Sequence, residues 1–522
     1  MTIPLLDLPA TFWGLIARVA DAAPDRPVVE DDYGRVLTAG ELRNQAERAA
    51  AGLAAIGVGA GDVVSWQLPT RLEAVVTLVA LARLGAVQNP VIPILRHREV
   101  AAITAQVGPR LIVVPEHWRG FAHGALAKEV APPGCEVLTL DLETSPGDDI
   151  ALPLGDPATL AAPPSGGDEC RWLYFSSGTT ADPKGARHTD ATIMAAANGM
   201  VSLLGLGAGD VYPIAWPFSH IGGATMLTAA LAGGALLVLF DVFDPVTTPE
   251  RMAAHHPTIL GSAVPFFRAY LDAQIRHGET PLYPELRACT GGGAPIPGEI
   301  SRELHDAFGV AGVVVSWGLT EFPIATCATP DDPPDVLATT VGGASPGVDI
   351  KAVTTAGQPA APGEEGELRL RGPQQFLGYI DSTLDAAAFD EEGWFRTGDL
   401  GVIEPTGAVR ITGRLKDVII RNAENISALE VEDVILRHPD VLDVAVVGLP
   451  DVRTGERVCA VVVPMAGCSV TVESLAEHCR TAGLARQKCP EQVEVVEVIE
   501  RNPMGKALKA VLVARLRADQ GT

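Results

Sequence analysis

The sequence predicts an α/β protein that has a large N-terminal domain and a small α+β C-terminal domain. Three observations predict this class. Strand-like and helix-like patterns alternate over the first ninety residues, the alternation resumes in the middle of the chain, and short β-rich pieces take over from about Val341. Because 522 residues exceed the usual size of one hydrophobic core, layered subdomains are expected within the larger domain.

The first ninety residues read as helix, strand, helix and strand. The segment LTAGELRNQAERAAAGLAAIG carries Thr38 and Glu41 at the spacing of a capping box and ends at Gly57, which predicts one helix. VVSWQL then predicts a strand, RLEAVVTLVALARLG a helix closed by Gly85, and AVQNPVIP a second strand. Short connections between these elements indicate a right-handed parallel unit.

The middle of the chain continues the alternation. VYPIAW, ALLVLF, TILGSAV and GVVVSW predict further strands. The stretch from Ile221 to Phe240 has no charged residue and is long enough to span a bilayer. Gly233 and Gly234 divide it into a helix-like half and a β-rich half, so a buried helix, turn and strand is the favoured interpretation, with a membrane span as the alternative.

The sequence pattern changes in the last third of the chain, where short β-rich segments replace the alternation. GELRLRG and GAVRITG indicate a largely antiparallel β-rich subdomain, and a boundary is expected near Gly413. Beyond it, Ser427 and Glu430 have capping-box spacing and predict a helix through Leu436. VLDVAVVGL, ERVCAVVVPM, a helix around 472–482 and VEVVEVI complete a compact unit of about a hundred residues.

Charge and cysteine content restrict the partners. The formal net charge of −25 disfavours nucleic acid and anionic membranes, because neither clustered lysines nor clustered arginines are present. Eight cysteines without a C-x-x-C pair argue against structural zinc and for a reducing, cytoplasmic location. No secretory signal is expected at the N-terminus. An anionic ligand would therefore depend on a few locally placed cations.

The stretch YFSSGTTADPKG, from Tyr174 to Gly185, is the first candidate for such a site. Its serines, threonines, glycines and Lys184 offer many hydrogen-bond donors to a phosphate, although the same composition is typical of a flexible linker. Lys184 precedes Gly185, and no serine or threonine follows at the magnesium-binding position, so a Walker A loop is disfavoured.

Seven segments follow one another along the chain: SSGTTADPKG, PFSH, GGAP, WGLTE, WFRTGDL, GRLKDVII and NPMGK. In this order they resemble the adenylate-forming enzymes, which include acyl-CoA synthetases, nonribosomal peptide adenylation domains and firefly luciferase. The resemblance covers essentially the whole chain. It implies an ATP-dependent acid-CoA ligase that uses ATP, Mg²⁺, CoA and a small-molecule carboxylic acid.

The resemblance assigns roles around ATP. Thr320 would bind the α-phosphate, Glu321 would hold Mg²⁺, and Lys506 would bridge the carboxylate and the α-phosphate. Asp399, assisted by Arg414, would bind the ribose. The β- and γ-phosphates would be held by Ser176, Ser177, Gly178, Thr179, Thr180 and Lys184. The adenine would lie among Gly292, Gly293, Ala294, Trp317 and Gly318.

The resemblance also implies a moving C-terminal domain. Residues 1–412 would bind the acid and ATP, 413–416 would form a hinge that includes Lys416, and 417–522 would form a mobile lid. Ala423 and Glu424 would line the CoA tunnel. The sequence departs from the family here, because Asn422 and Ala423 stand where glycine is common. A methyl group would narrow the tunnel, and backbone angles open only to glycine would be lost.

The acid is predicted from a further similarity. The region from Val64 to Glu99 is similar to ligases for medium-chain and alicyclic acids, which implies an apolar acyl pocket. Ordinary core packing is the alternative interpretation for the pocket's aromatic residues. Two other functions stay open, an acyl-AMP ligase that loads a carrier protein and a non-catalytic nucleotide-binding protein, and the chain is compatible with a homodimer. The residues predicted to line the pocket are Trp216, Phe218, His220 and Gly291.

Overall fold

The structure, a computed structural model, describes residues 7–142, 149–176, 183–422, 424–502 and 505–519. Its contacts divide the chain into two compact units. Among the described residues, the first unit comprises 7–142, 149–176, 183–349 and 370–395, and the second comprises 350–369, 396–422, 424–502 and 505–519.

Within the described residues, the first unit contains three sheets. Their strand orders are β2-β1-β10-β9, β6-β5-β3-β4-β7-β8 and β11-β12-β13-β14-β15. The strands are β1 (Pro27–Asp31), β2 (Val36–Thr38), β3 (Val63–Trp66), β4 (Val87–Pro90), β5 (Leu111–Pro115), β6 (Glu136–Leu140), β7 (Cys170–Ser176), β8 (Lys184–Thr189), β9 (Val211–Ile214), β10 (Leu236–Leu239), β11 (Ile259–Ser262), β12 (Ala288–Gly292), β13 (Val313–Leu319), β14 (Phe322–Cys327) and β15 (Gly343–Ala344).

Helices connect and cover these sheets, as the alternating sequence pattern predicts. They are α1 (Phe12–Ala22), α2 (Ala39–Ala55), α3 (Leu72–Leu84), α4 (His97–Val107), α5 (His123–Val130), α6 (Asp190–Leu203), α7 (Ile221–Gly233), α8 (Thr248–Ala253), α9 (Val264–His277), α10 (Gly298–Phe308), α11 (Pro334–Thr339) and α12 (Asp385–Ala388).

The early helix-strand predictions are confirmed in detail. Thr38 accepts a hydrogen bond from the Glu41 amide at 3.3 Å, and Glu41 accepts one from the Thr38 amide at 2.9 Å, so the capping box begins α2. Strands β3 and β4 pair in parallel across α3, which ends at Gly85 with φ +71. Glycine adopts this left-handed conformation without the strain that a side chain would add.

The uncharged stretch from Ile221 to Phe240 forms the predicted helix, turn and strand. Helix α7 ends at Gly234, where φ is +98, and β10 follows directly. Nearly all of α7 is buried, which explains why it lacks a polar face. Among the described residues, no helix is both long enough and apolar enough to cross a membrane.

In the second unit, the described strands form two sheets with orders β16-β17-β18-β19 and β21-β20-β23-β22, and β24 pairs with β23. Its elements are β16 (Asp349–Val353), β17 (Glu365–Arg371), β18 (Phe395–Ile403), β19 (Val409–Arg414), β20 (Val418–Arg421), β21 (Glu424–Ser427), α13 (Ala428–Ile435), β22 (Val441–Asp451), β23 (Gly455–Pro464), α14 (Val472–Thr481), β24 (Gln492–Val495) and α15 (Lys509–Asp519).

Strands β22 and β23 are apolar along their length because both faces of their sheet are covered. Val444 and Val446 belong to the core with α13 and α14, whereas Ala445 and Val447 belong to the core with α15. The predicted α+β unit is confirmed. A strand buried on both faces shows a continuous apolar run instead of an alternation.

The predicted capping box at α13 forms only in half. Ser427 accepts a hydrogen bond from the Glu430 amide at 3.3 Å, as predicted. The Glu430 carboxylate instead binds the Lys488 ammonium, with Nζ 2.6 Å from Oε2. A charged partner from a distant segment thus replaces the local backbone amide, because a charge-assisted hydrogen bond is the stronger interaction.

Candidate active site

Two antiparallel strands place the ends of the predicted phosphate loop side by side. Ser176 ends β7, Lys184 begins β8, and the two residues are register partners. Ser177, Gly178, Thr179 and Thr180 lie outside the described residues. The Lys184 ammonium lies 5.5 Å from the centroid of the Tyr379 ring. A cation at the base of this hairpin is suited to an anionic group held by the loop.

The predicted adenine residues meet at the carboxyl edge of a parallel sheet. Strands β11, β12 and β13 run parallel, and their register puts Gly292 beside Ser316, next to the buried Trp317. Gly291 precedes this pair, and Gly293 and Ala294 follow it in the chain. Ligands of open α/β sheets bind at such carboxyl edges, so the geometry suits the predicted site.

Glycine is required at position 292 by the neighbouring strand. A Cβ atom there would lie 2.8 Å from the Ser316 carbonyl oxygen and 2.9 Å from its Oγ. Gly293 has φ +77, a left-handed conformation that favours glycine. The glycines therefore serve the close packing of this edge as well as any ligand.

Thr320 and Glu321 form the two-residue connection between β13 and β14. Leu319 and Phe322 are register partners, so the two residues between them make the turn. Gly318 lies just before it, against the backbone of Pro323. The motif WGLTE thus spans the end of one strand and a tight turn, and this places Thr320 and Glu321 at the edge that also carries Trp317.

His188, a residue that the sequence reasoning did not single out, holds this turn. Its Nε2 donates to the Thr320 carbonyl oxygen at 2.8 Å, and its Nδ1 lies 3.0 Å from Thr192 Oγ1. The ring is completely buried, and burial lowers the pKa of His188 to about 4, so the imidazole is neutral at pH 7. Its only sequence signal is a position four residues after Lys184.

His188 should make folding stability depend on pH. Its pKa falls from 6.5 in the unfolded chain to about 4 in the folded one, so between these values only the unfolded state binds the proton. Stability should be unaffected by this group above pH 6.5 and should fall below it, by up to about 1.4 kcal/mol per pH unit. Urea unfolding of the wild type and His188→Gln at pH 7, 6 and 5 measures this, and the variant should show the smaller slope. Equal slopes would exclude His188 as the cause.

Glu321 is a buried carboxylate with one oxygen engaged. Its Oε1 accepts a hydrogen bond from the Tyr379 hydroxyl at 2.7 Å. No group of three or more histidine, cysteine or acidic residues that could hold a metal exists among the described residues. A single carboxylate with one oxygen engaged suits Mg²⁺ on a nucleotide, because that ion takes one or two carboxylates and completes its shell with phosphate oxygens and water.

In the second unit, the buried Asp399 forms an ion pair with the partly exposed Arg414 across β18 and β19. They are register partners, and Arg414 Nε lies 2.6 Å from Asp399 Oδ1. Lys416 follows in a short 3₁₀ turn at Leu415–Asp417. The predicted ribose-binding carboxylate is therefore fixed by the arginine that was predicted to assist it.

Lys506 lies in a tight loop of the same unit. Asn502 Oδ1 accepts from the Lys506 amide at 2.9 Å, and the Asn502 amide donates to the Lys506 carbonyl oxygen at 2.8 Å. Burial, together with the positive charges of Arg414 and Lys416, lowers the pKa of Lys506 to about 8. Three of the predicted cations thus share one region, a concentration of charge that suits a phosphate ligand.

Three of the four predicted acyl-pocket residues lie between β9 and α7 of the first unit, whereas Gly291 lies in β12. Trp216 and Phe218 are buried, and Thr70 Oγ1 is 3.1 Å from both the Trp216 carbonyl oxygen and the Phe218 amide. His220 caps α7 by accepting from the Gly222 amide at 3.1 Å, and burial lowers the pKa of His220 to about 4. These side chains present apolar surface and a neutral ring.

The departure from glycine after β20 keeps one unusual backbone angle. Asn422 has φ +50, and its amide donates to the Thr454 carbonyl oxygen at 2.8 Å. Asparagine enters the left-handed region more readily than other residues that carry a side chain. Position 422 thus keeps a left-handed angle without glycine, whereas the predicted loss of glycine-only angles concerned the position of Ala423. Ala423 lies outside the described residues, and Glu424 begins β21.

Comparisons with known proteins show what the chain resembles. A profile for the AMP-binding enzyme family matches residues 16–380, and one for the AMP-binding enzyme C-terminal domain matches residues 430–506. The chain is 33% identical to a medium-chain fatty-acid-CoA ligase of Escherichia coli, covering 96% of this chain and 89% of that protein. It is 32% identical to a salicyl-AMP ligase / salicyl-S-ArCP synthetase of Mycobacterium tuberculosis, covering 97% of this chain and 92% of that protein.

A solved structure has a similar fold. ATP-bound MatB from Rhodopseudomonas palustris superposes with a TM-score of 0.85 at 28% sequence identity, covering 98% of this chain and 99% of that one. The large N-terminal part and the smaller C-terminal part are both included in that match.

Proposed function

The chain belongs to the AMP-binding enzyme family and is an adenylate-forming acid-CoA ligase that uses ATP, Mg²⁺ and CoA, and we propose that its acid is a medium-sized apolar one, medium-chain or alicyclic. The observation that carries the choice of acid is a neutral His220 at the start of a helix without charged residues.

The reaction has two steps. A carboxylate oxygen attacks the α-phosphorus of ATP, the bond to the β-phosphate oxygen breaks, and pyrophosphate leaves. The thiol sulfur of CoA, having lost its proton, then attacks the carbonyl carbon of the acyl-adenylate, and AMP leaves. Because two anions must meet in the first step, positioning and positive charge should supply much of the rate.

We propose the following roles in the first step. Lys184 and the loop of Ser176 would hold the terminal phosphates, and the Thr320 hydroxyl would bind the α-phosphate. Lys506 would join the carboxylate to the α-phosphate. Mg²⁺, held by Glu321, would neutralise phosphate charge when bound.

Other residues would bind the nucleoside and serve the second step. Trp317 would stack on the adenine and Asp399 would accept hydrogen bonds from the ribose. We propose that Lys416 marks the hinge on which residues 417–522 turn between the two steps. We also propose that Ala423 and Glu424 line the tunnel through which CoA reaches the acyl-adenylate. The left-handed angle of Asn422, the kind of angle that glycine adopts, supports this proposal.

The chemistry of the acyl region supports an apolar acid. With a pKa of about 4, His220 carries no positive charge at pH 7, so it offers no ion pair to a second carboxylate or to a sulfonate. Helix α7, which follows it, contains no charged residue. Trp216 and Phe218 add aromatic surface that gains free energy by covering apolar carbons. A dicarboxylic acid would leave one charge without a partner there.

Trp216 should limit the length of the acid. Its ring atoms Cη2 and Cζ3 lie 3.4 Å from the position that a Cβ on Gly222 would take, so the indole covers the first turn of α7. In Trp216→Ala, kcat/KM for a six-carbon acid should fall about tenfold, while decanoate should lose less than about threefold, because lost apolar contact penalises the shorter chain more. Steady-state kinetics over even-numbered acids measures this. KM for ATP should stay constant as the internal control, and equal losses for all acids would contradict a role in length selection.

A panel of acids tests the proposed function. Pyrophosphate release is measured with hexanoate, octanoate, cyclohexanecarboxylate, malonate and salicylate, with and without CoA. Release with the apolar acids, followed by thioester formation when CoA is present, supports the proposal. Acid-dependent release without a thioester would favour the acyl-AMP ligase that loads a carrier protein. ATP binding without release by any acid would favour the non-catalytic nucleotide-binding protein.

We also propose that the enzyme works in the cytoplasm and forms a homodimer. Free thiols support a reducing compartment, because all eight cysteines are unpaired and burial raises the pKa of Cys289 and Cys327 to about 12. Light scattering at micromolar concentration would test the dimer.

A further inference from the structure

One short segment binds two elements of the candidate site at once. We call Gln374–Ile380 the bridging segment. On one side, Gln374 Oε1 accepts from the Ile324 amide at 2.7 Å, its Nε2 donates to the Ile324 carbonyl oxygen at 2.6 Å, and the Phe376 amide donates to the Glu321 carbonyl oxygen at 3.0 Å. Gln374 is fully buried. This side fixes the segment to the turn that carries Glu321.

The other side of the bridging segment pairs with β8. The Leu377 amide donates to the Arg187 carbonyl oxygen at 2.8 Å, and the Arg187 amide donates to the Gly378 carbonyl oxygen at 3.1 Å. The Ile380 amide donates to the Gly185 carbonyl oxygen at 2.8 Å. Lys184 begins β8, so it belongs to the β7–β8 hairpin, which we call the phosphate hairpin. The segment therefore connects this hairpin to the turn of Thr320 and Glu321 by backbone hydrogen bonds.

Tyr379, on this segment, contacts the functional side chain at each end. Its hydroxyl donates to Glu321 Oε1 at 2.7 Å, and its ring lies 5.5 Å from the Lys184 ammonium. Two side chains of opposite charge, both assigned to the metal-bound triphosphate, thus share one buried aromatic residue. No other described tyrosine makes a hydrogen bond to Glu321.

The surroundings of Tyr379 fix its position and its protonation. Its amide donates to Asp385 Oδ1 at 2.8 Å, and its ring packs edge-on against Phe376 at 4.9 Å. Its hydroxyl is the donor in the hydrogen bond to Glu321 Oε1, so it carries its proton there.

We propose that Tyr379 is a positioning residue of the magnesium-ATP site. Its hydroxyl fixes one carboxylate oxygen of Glu321 and leaves the other for the metal, and its ring holds the Lys184 ammonium at the base of the phosphate hairpin. The inference rests on the proposed function, because it takes the ligand to be a divalent cation on a nucleoside triphosphate.

The test measures ATP binding by calorimetry without acid, in excess Mg²⁺ and in EDTA. In the wild type, ATP should bind more tightly in Mg²⁺ than in EDTA, and we call the ratio of these two affinities the gain from Mg²⁺. In Tyr379→Phe, which keeps the ring but lacks the hydroxyl, the gain from Mg²⁺ should fall about tenfold, while affinity in EDTA should change less than about twofold. In Tyr379→Leu, affinity in EDTA should also fall, because the ring beside Lys184 is lost.

A matched control comes from Tyr283, whose buried hydroxyl donates to the Pro249 carbonyl oxygen at 3.0 Å. Tyr283→Phe removes a buried hydrogen bond of the same kind and should leave the gain from Mg²⁺ unchanged. Loss of the gain in both variants, or in neither, would overturn the proposal. If Tyr379→Phe loses the gain and the wild type still releases no pyrophosphate with any acid, the proposed function fails and the positioning role stands.

In steady state, Tyr379→Phe should need about tenfold more Mg²⁺ for half-maximal pyrophosphate release, and KM for the acid should not change. A residue that acts only on folding would not separate these two quantities. A fall in kcat with an unchanged Mg²⁺ requirement would contradict the proposal.

Discussion

Replacing Lys506 with alanine is expected to lower acid-dependent pyrophosphate release by about a hundredfold to a thousandfold, the loss typical when a charged transition-state contact is removed. The reason is that two anions react, and Lys506 would lie between them. Its loop is held by Asn502 through the backbone, so the side chain can be removed without disturbing the turn. Pyrophosphate release under saturating ATP and acid measures the effect, and thermal unfolding should show an unchanged midpoint.

The pH dependence adds a second readout for Lys506. Because its pKa is lowered to about 8, the free enzyme should lose the ammonium charge as the pH rises through 8. The kcat/KM for the acid should therefore fall above about pH 8, and Lys506→Arg should move that fall to higher pH. Lys488→Ala is the matched control, since Lys488 pairs with Glu430, its one ion-pair partner among the described residues, in a half-exposed pair, and its loss should leave the rate near that of the wild type. Full activity of Lys506→Ala would contradict the assignment.

Gly318→Ala is expected to destabilise the first unit by about 3 kcal/mol or more and to abolish ATP binding. A Cβ at this position would lie 1.9 Å from the Pro323 carbonyl oxygen and 2.4 Å from its carbonyl carbon. Both are backbone atoms of the paired strand, so no rotamer change can relieve the overlap. Strands β13 and β14 would have to move apart at the point where they position Trp317 and the turn that carries Glu321. Urea unfolding and calorimetric titration of ATP measure the two effects.

The matched control for this substitution is Gly166→Ala. A Cβ at Gly166 would meet no atom within 4 Å, so this variant should unfold and bind ATP as the wild type does. If Gly318→Ala is as stable as Gly166→Ala, the hairpin is more compliant than its geometry indicates. A stable Gly318→Ala protein that binds ATP normally would contradict the requirement for glycine there.

The sequence predicted what depends on local pattern and on ordered motifs. The capping box at Thr38, the glycine stop after α3 and the strands of the α/β core follow from neighbouring residues, and the structure confirms them. The predicted adenine residues likewise meet at one sheet edge, because parallel strands bring their carboxyl ends together, and the two ends of the phosphate loop meet in one antiparallel hairpin.

What the sequence could not predict depends on distant partners. Tyr379 contacts a residue 58 positions away, and His188 contacts one 132 positions away. Neither spacing follows from helical or strand periodicity. The half-formed capping box has the same cause, because Glu430 prefers Lys488, also 58 positions away, over the nearby amide. At position 422, the backbone angle is left-handed although the residue is asparagine and not glycine.

The bridging segment imposes a length rule on this region of the chain. Its backbone is hydrogen-bonded on both sides, so the number of residues between Gln374 and Tyr379 is fixed. An insertion or deletion of one residue between Gln374 and Tyr379 would turn the hydroxyl away from Glu321 or pull Gln374 out of its pocket. Homologous chains that keep both side chains should therefore carry no gap in this interval, and aligning on it would locate the tyrosine where overall identity is too low to do so.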